Sequence, residues 1–180
     1  MNKKIISIVT AGFMIGMSGV SFAATTVKPD WVVQDKTSTP GMLNKTVTQA
    51  NIATTVCKSG WTATIRPTVT YTNKLKDTQL KTTYKSYVAI WGPTPGAYEE
   101  DHLISLQLGG DPSSEKNLWP QPYADNGARK KDVVETALKR LVCAGTLKLA
   151  DAQKAILDWP TAYKKYVTAA DAKAPDTSDN

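Results

Sequence analysis

The sequence predicts one small α+β domain. Three observations carry this. An amphipathic helical stripe runs through the segment from Asn126 to Cys143. Short alternating or extended runs, too brief for long helices, occur at 61–65, 87–91 and 98–108. A chain of 180 residues with no internal repeat suits a single hydrophobic core.

Residues 1–23 read as an export signal. Lys3 and Lys4 precede the mostly apolar run Ile5 to Val20, and Ser21-Phe22-Ala23 fits a small-x-small cleavage site before Ala24. The run is shorter than the roughly 20 residues a retained anchor needs. The expected location is the periplasm or outside the cell. Removing 23 of the 180 residues leaves 157; the signal holds two lysines and no acid, so the net charge falls from +6 to +4. That balance is compatible with a polyanionic partner and does not demand one. In an oxidising compartment the only two cysteines, Cys57 and Cys143, read as a disulfide worth about 4 kcal/mol in the chain-entropy picture. A zinc site is disfavoured because the chain has one histidine.

The segment 24–46, rich in Thr, Lys, Pro and Ser, reads as a loosely ordered lead-in around Trp31-Val32-Val33. The domain follows at 47–170. Thr48 to Cys57 suits a short helix with Val47, Ile52 and Val56 inward. Trp61, Ala63 and Ile65 alternate with polar residues as in a half-buried strand, which Pro67 ends. Thr72 is a candidate N-cap for a helix to about Tyr84, with Leu75 and Leu80 inward. Tyr87 to Trp91 reads as a second strand, and 92–96 as a loop. Tyr98 to Leu108 reads as a strand pair or extended arm, turned by Gly109-Gly110-Asp111-Pro112. Three prolines make the stretch to Tyr123 look irregular. The helix from Asn126 carries Val134, Leu138, Leu141 and Val142 and stops at Gly145. A helix from Ala150 to Asp158 ends before Pro160, a last turn or helix carries Tyr163 and Tyr166, and 171–180 is a polar tail.

The chemistry centres on His102, the only histidine. It follows Glu99-Glu100-Asp101 and precedes Ile104, Gly109-Gly110 and Asn117-Leu118. Near neutral pH an imidazole is the suitable general base, and here there is only one. Asp101 and the amide oxygen of Asn117 offer the hard oxygen donors that Mg²⁺ takes. Successive strand residues point to opposite faces, so Asp101 and His102 can share a target only where the arm twists or bulges.

The order of arm, double glycine, asparagine and helix resembles the HNH nucleases, part of the ββα-metal or His-Me finger group. Cys57, Trp61-Thr62, Arg66-Pro67, Tyr71-Thr72-Asn73 and Trp119-Pro120 resemble small exported bacterial proteins carrying the same block. The resemblance implies a ββα-metal site within the α+β domain and metal-dependent cleavage of nucleic acid, DNA ahead of RNA, with low sequence specificity. It implies His102 as base, Asp101 as metal ligand, and Asn117 as ligand or brace of the histidine loop. Mg²⁺ is the expected ion, with Mn²⁺ or Zn²⁺ as alternatives.

The chain departs from the pattern by lacking the helix histidine that many HNH proteins use as a ligand. Asp132 is the candidate replacement; Glu135 has a simpler reading as a surface partner of Lys139. Glu99 matches a motif position and would orient the site. Arg66, Arg129, Lys130 and Lys131 are candidate phosphate contacts, or ordinary surface cations. Trp61, Trp91 and Trp119 read as core. Two other functions stay open: a non-catalytic envelope protein on this scaffold, and a hydrolase of another phosphodiester.

Overall fold

Val134, Ala137, Leu138 and Val142 recur at helical spacing and are fully buried along α4 (Ala128–Cys143), the longest element. Gly145, with φ 73°, ends it: its N–H bonds Val142 O at 3.0 Å, and Thr146 N–H bonds Leu141 O at 3.0 Å. The computed structural model describes residues 28–173; the expected export signal, the start of the lead-in and residues 174–180 lie outside the described residues. The architecture is α+β, a two-stranded antiparallel sheet with six α-helices among the described residues. No described helix is long and apolar enough to cross a membrane.

Helices α5 (Leu149–Ile156) and α6 (Trp159–Tyr166) pack on α4 and bury Leu149, Ile156 and Trp159. Pro160 sits in the first turn of α6, where its missing donor has no cost, and Asp158 caps that turn by accepting from Thr161 N–H. The start of the polar tail is folded: Asp171–Lys173 form a 3-10 turn, and Arg140 Nη2 lies 2.9 Å from Asp171 Oδ2.

Cys57 and Cys143 are disulfide-bonded, their Cα atoms 5.6 Å apart. The bond ties the short 3-10 segment Gln49–Thr54, with Val47 and Val56 buried beside it, to the end of α4. Replacing both cysteines with serine is expected to cost about 2–5 kcal/mol, read as a lower urea midpoint at equal slope.

Two expected strands are helices. Trp61–Ile65 is α1 and Lys85–Trp91 is α3. The reason is spacing: residues i and i+4 share a face in both a strand and a helix. Trp61 and Ile65 are half-buried, and Tyr87 and Trp91 pack against buried Tyr84 and Trp119. Five residues do not separate the two periods. α2 (Val69–Lys81) is capped four residues earlier than expected, because Thr68 rather than Thr72 accepts from Tyr71 N–H at 3.3 Å.

The stretch expected to be irregular holds a strand. β1 (Tyr98–His102) pairs antiparallel with β2 (Leu118–Pro122), Glu100 opposite Pro120 and Tyr98 opposite Pro122. The prolines are two apart, so both missing donors fall on one edge. In a two-stranded sheet that edge has no strand to pair with. The lead-in, though irregular, is packed: Val32 and Thr39 are buried, Thr39 Oγ1 lies 2.6 Å from Tyr84 Oη, and Trp31 meets Trp159 edge-on at 5.1 Å.

Candidate functional site

β1 ends at His102, and the loop beyond it is built around Asn117. The Asn117 side chain is fully buried; its Oδ1 accepts from Ile104 N–H (2.9 Å) and Met42 N–H (3.3 Å), and its Nδ2 donates to Ile104 O (3.0 Å) and Asp111 O (2.9 Å). Gly110 must be glycine, since a Cβ there would lie 1.7 Å from Ile104 O. Asn117 is therefore a brace of the histidine loop. The expectation that it also ligates metal or takes part in catalysis is corrected: backbone groups use both ends of its amide.

The tight turn after β2 brings α4 back over β1. A Cβ on Gly127 would lie 2.1 Å from Pro122 O, so the approach requires glycine. Lys131, Asp132 and Glu135, at i, i+1 and i+4, are presented to β1 and are buried. Carboxylate oxygens of Asp101, Asp132 and Glu135 lie within 4.8 Å of one another. Lys131, with 0 % exposure, places Nζ 2.7 Å from Asp101 Oδ2 and 2.7 Å from His102 O, and also pairs with Glu135 Oε1. Arg129 Nη1 lies 3.2 Å from Asp132 Oδ2 and 3.7 Å from Glu99 Oε2.

His102 Nε2 is 2.9 Å from Pro112 O. A carbonyl only accepts, so Nε2 carries the hydrogen and Nδ1 is left as the basic nitrogen. Burial pushes the imidazole down to about 4, against the opposing bond to Pro112. It is neutral at pH 7. Asp101 and His102 line one small cavity of about 20 Å³ with Arg66, Glu99, Gln107, Asp132 and Glu135. Both side chains line this cavity, so the opposed directions expected of neighbouring strand residues do not separate the pair. A cleft of about 320 Å³ shares Arg66, Glu99 and His102 with this cavity and adds Lys76, Glu100, Tyr123 and Arg129. A larger depression of about 520 Å³ between α5 and α6 is lined by Lys154, Lys165, Asp151 and Asp158 and lies away from His102.

When ionised, Glu99, Asp101, Asp132 and Glu135 carry four negative charges and Lys131 and Arg129 two positive ones, leaving the cluster two charges negative. Burial, then the neighbouring Glu135 and Asp101, raise Asp132 to about 9. Burial and Asp101 raise Glu99 to about 7 and Glu100 to about 9. Burial raises Glu135 as well. Burial alone would lower Lys131; Asp101 and Glu135 outweigh it and hold the ammonium above its ordinary range.

These shifts predict a pH dependence. The folded chain keeps protons on Asp132 and Glu100 that the unfolded chain loses near pH 4. The linked stability is complete below that pH and is lost as pH rises through about 9. His102 acts in the opposite sense, between about 4 and 6.5, so the clean window lies above pH 7. Metal-free protein should melt lower at pH 9 than at pH 7, and added Mg²⁺ should shrink the difference; equal melting temperatures would contradict these shifts.

The remaining expectations divide. Glu99 and Arg66 line the cavity, although Arg66 follows a helix rather than lying on a strand. Asp132 joins Asp101. Glu135 pairs with buried Lys131, which corrects its reading as a surface partner of Lys139. The basic run 129–131 does not present a single face. Helical rotation sends Arg129 to the acids and Lys130 over Trp31 (5.7 Å) and Tyr163 (5.1 Å), while Lys131 goes inside with no exposed surface. The contact expected of Lys131 with phosphate is corrected accordingly, since its side chain has no exposed surface. Glu135 and Lys131 were detectable: both continue the stripe of Val134, Leu138 and Val142 toward the helix start. No family model, curated protein or solved structure matches the chain.

Proposed function

We propose that the protein is a metal-dependent phosphodiester hydrolase, an endonuclease of low sequence specificity acting on DNA ahead of RNA outside the cytoplasm. One observation carries the reading: a neutral histidine and three converging carboxylates line the same cavity. The chain order β1, β2, α4 around them supports a ββα-metal site of the HNH kind. The disulfide fits an oxidising compartment.

The donor set fits a divalent ion. All three candidate ligands are hard carboxylate oxygens, which favours Mg²⁺ or Mn²⁺ over Zn²⁺. The surplus of two negative charges matches one such ion. Asp101, Asp132 and Glu135 would hold it, with Asp132 replacing the helix histidine. When bound, the ion supplies charge neutralisation at a phosphoryl oxygen and the leaving alkoxide. His102 Nδ1 takes the proton from the attacking water, and the Pro112 carbonyl fixes the ring tautomer that exposes that nitrogen. Arg66 lies where the cleft meets the cavity and faces the incoming diester.

A second reading, a non-catalytic envelope protein, draws on Lys131, which already gives Asp101 and Glu135 a cationic partner. Nicking of supercoiled plasmid with Mg²⁺ or Mn²⁺, with a chelator control, separates the two. RNA and a small diester run in parallel set the substrate. Cleavage that the chelator abolishes supports the hydrolase; no cleavage with any divalent ion leaves the envelope reading.

A further inference from the structure

Gln107 lines the small cavity together with His102, Asp101, Asp132 and Glu135. Its side chain is 2 % exposed, and Nε2 is buried without a hydrogen-bond acceptor. Burying an amide donor unpaired is costly, and such groups are rare away from functional sites. The backbone that carries it is fixed. Ser105 Oγ accepts from Gln107 N–H at 3.1 Å, Leu108 N–H bonds Ser105 O at 2.9 Å, and Leu106 and Leu108 are buried on either side. The backbone is therefore held in place before any ligand arrives, and what the side-chain Nε2 lacks is an acceptor oxygen.

The cavity, at about 20 Å³, is too small for a whole phosphate group. It shares Arg66, Glu99 and His102 with the 320 Å³ cleft. Carboxylates dominate the cavity wall, so an anion has few places to settle. Gln107 offers a neutral donor, and Arg66 a cationic one.

We propose that Gln107 contacts the substrate, its amide N–H₂ donating to one non-bridging oxygen of a phosphodiester whose remainder occupies the larger cleft. This deepens the hydrolase reading and rests on it for the identity of the diester. It assigns the donor side of the site to the 3-10 turn Leu106–Leu108, opposite in chemical character to the acids of α4.

The test is calorimetric titration of the full chain with inorganic phosphate in the presence of Mg²⁺, comparing wild type with Gln107→Met, which keeps the shape and removes the donor. Phosphate binding should weaken at least ~10-fold in Gln107→Met at a melting temperature equal to or above that of wild type, and kcat for nicking should fall by about 10², as for a lost oxyanion donor. Equal phosphate affinity in a folded variant overturns the proposal, as does a wild type that binds no phosphate. Should the variant not fold, ¹H–¹⁵N spectra of wild type decide: one glutamine side-chain amide should move on adding phosphate, and none moving overturns the proposal. Phosphate binding that depends on Gln107 without any nicking supports the contact and removes the hydrolase reading. Nicking with an unchanged kcat in the variant keeps the hydrolase and removes the contact.

Discussion

His102→Ala is expected to nick plasmid DNA at least ~10²-fold more slowly than wild type while still binding Mn²⁺, the loss typical of a missing general base. Asp101, Asp132 and Glu135 supply the carboxylates, and none of them changes. Removing the ring deletes the only imidazole in the chain and one hydrogen bond to Pro112 O. That bond is worth about 1 kcal/mol, so the variant should fold with a modestly lower melting temperature. Manganese binding read by electron paramagnetic resonance separates loss of the base from loss of the metal. Wild-type nicking by His102→Ala would place the activity elsewhere; loss of Mn²⁺ binding together with activity would make His102 part of the metal site rather than the base.

Much of this site was legible because its chemistry is local in the chain. His102, Asp101 and Glu99 are neighbours on β1, and Asn117 marks the partner strand. The stripe through Val134, Leu138 and Val142 located α4 to within two residues of its start. The role of Asn117 was not legible, because an amide that braces a loop and one that binds metal look alike in sequence. Only the four backbone bonds to its amide decide. Lys131 and Glu135 were misjudged for a related reason. Charged residues on a helix are usually exposed, and i, i+4 spacing offered Glu135 the surface partner Lys139 as readily as the buried partner Lys131. α1 and α3 were misread because five residues whose first and last share a face satisfy both periods, and β2 because prolines were counted as breakers without asking which edge they faced.

Lys131→Met is expected to destabilise the metal-free protein by about 3–5 kcal/mol near pH 8, the range for removing one partner of a buried ion pair. Lys131 Nζ donates to His102 O and to Glu135 and forms an ion pair with Asp101, all in a fully buried position. Methionine fills the space but leaves the two carboxylates facing each other, and the cluster becomes one charge more negative. Loss of the salt bridge alone would be milder; the cost comes from charge left uncompensated in a poorly solvated place. Two consequences separate this account from ordinary repacking. Lys131→Met with Glu135→Leu should lose less stability than Lys131→Met alone, since one stranded charge is removed with its partner, and a double-mutant cycle in urea measures the difference. Added Mn²⁺ should raise the melting temperature of Lys131→Met more than that of wild type, because the more negative cluster binds a cation more strongly. If the single variant unfolds at the wild-type urea midpoint, or if Glu135→Leu deepens rather than relieves the loss, Lys131 is not the cation that holds the acidic cluster together.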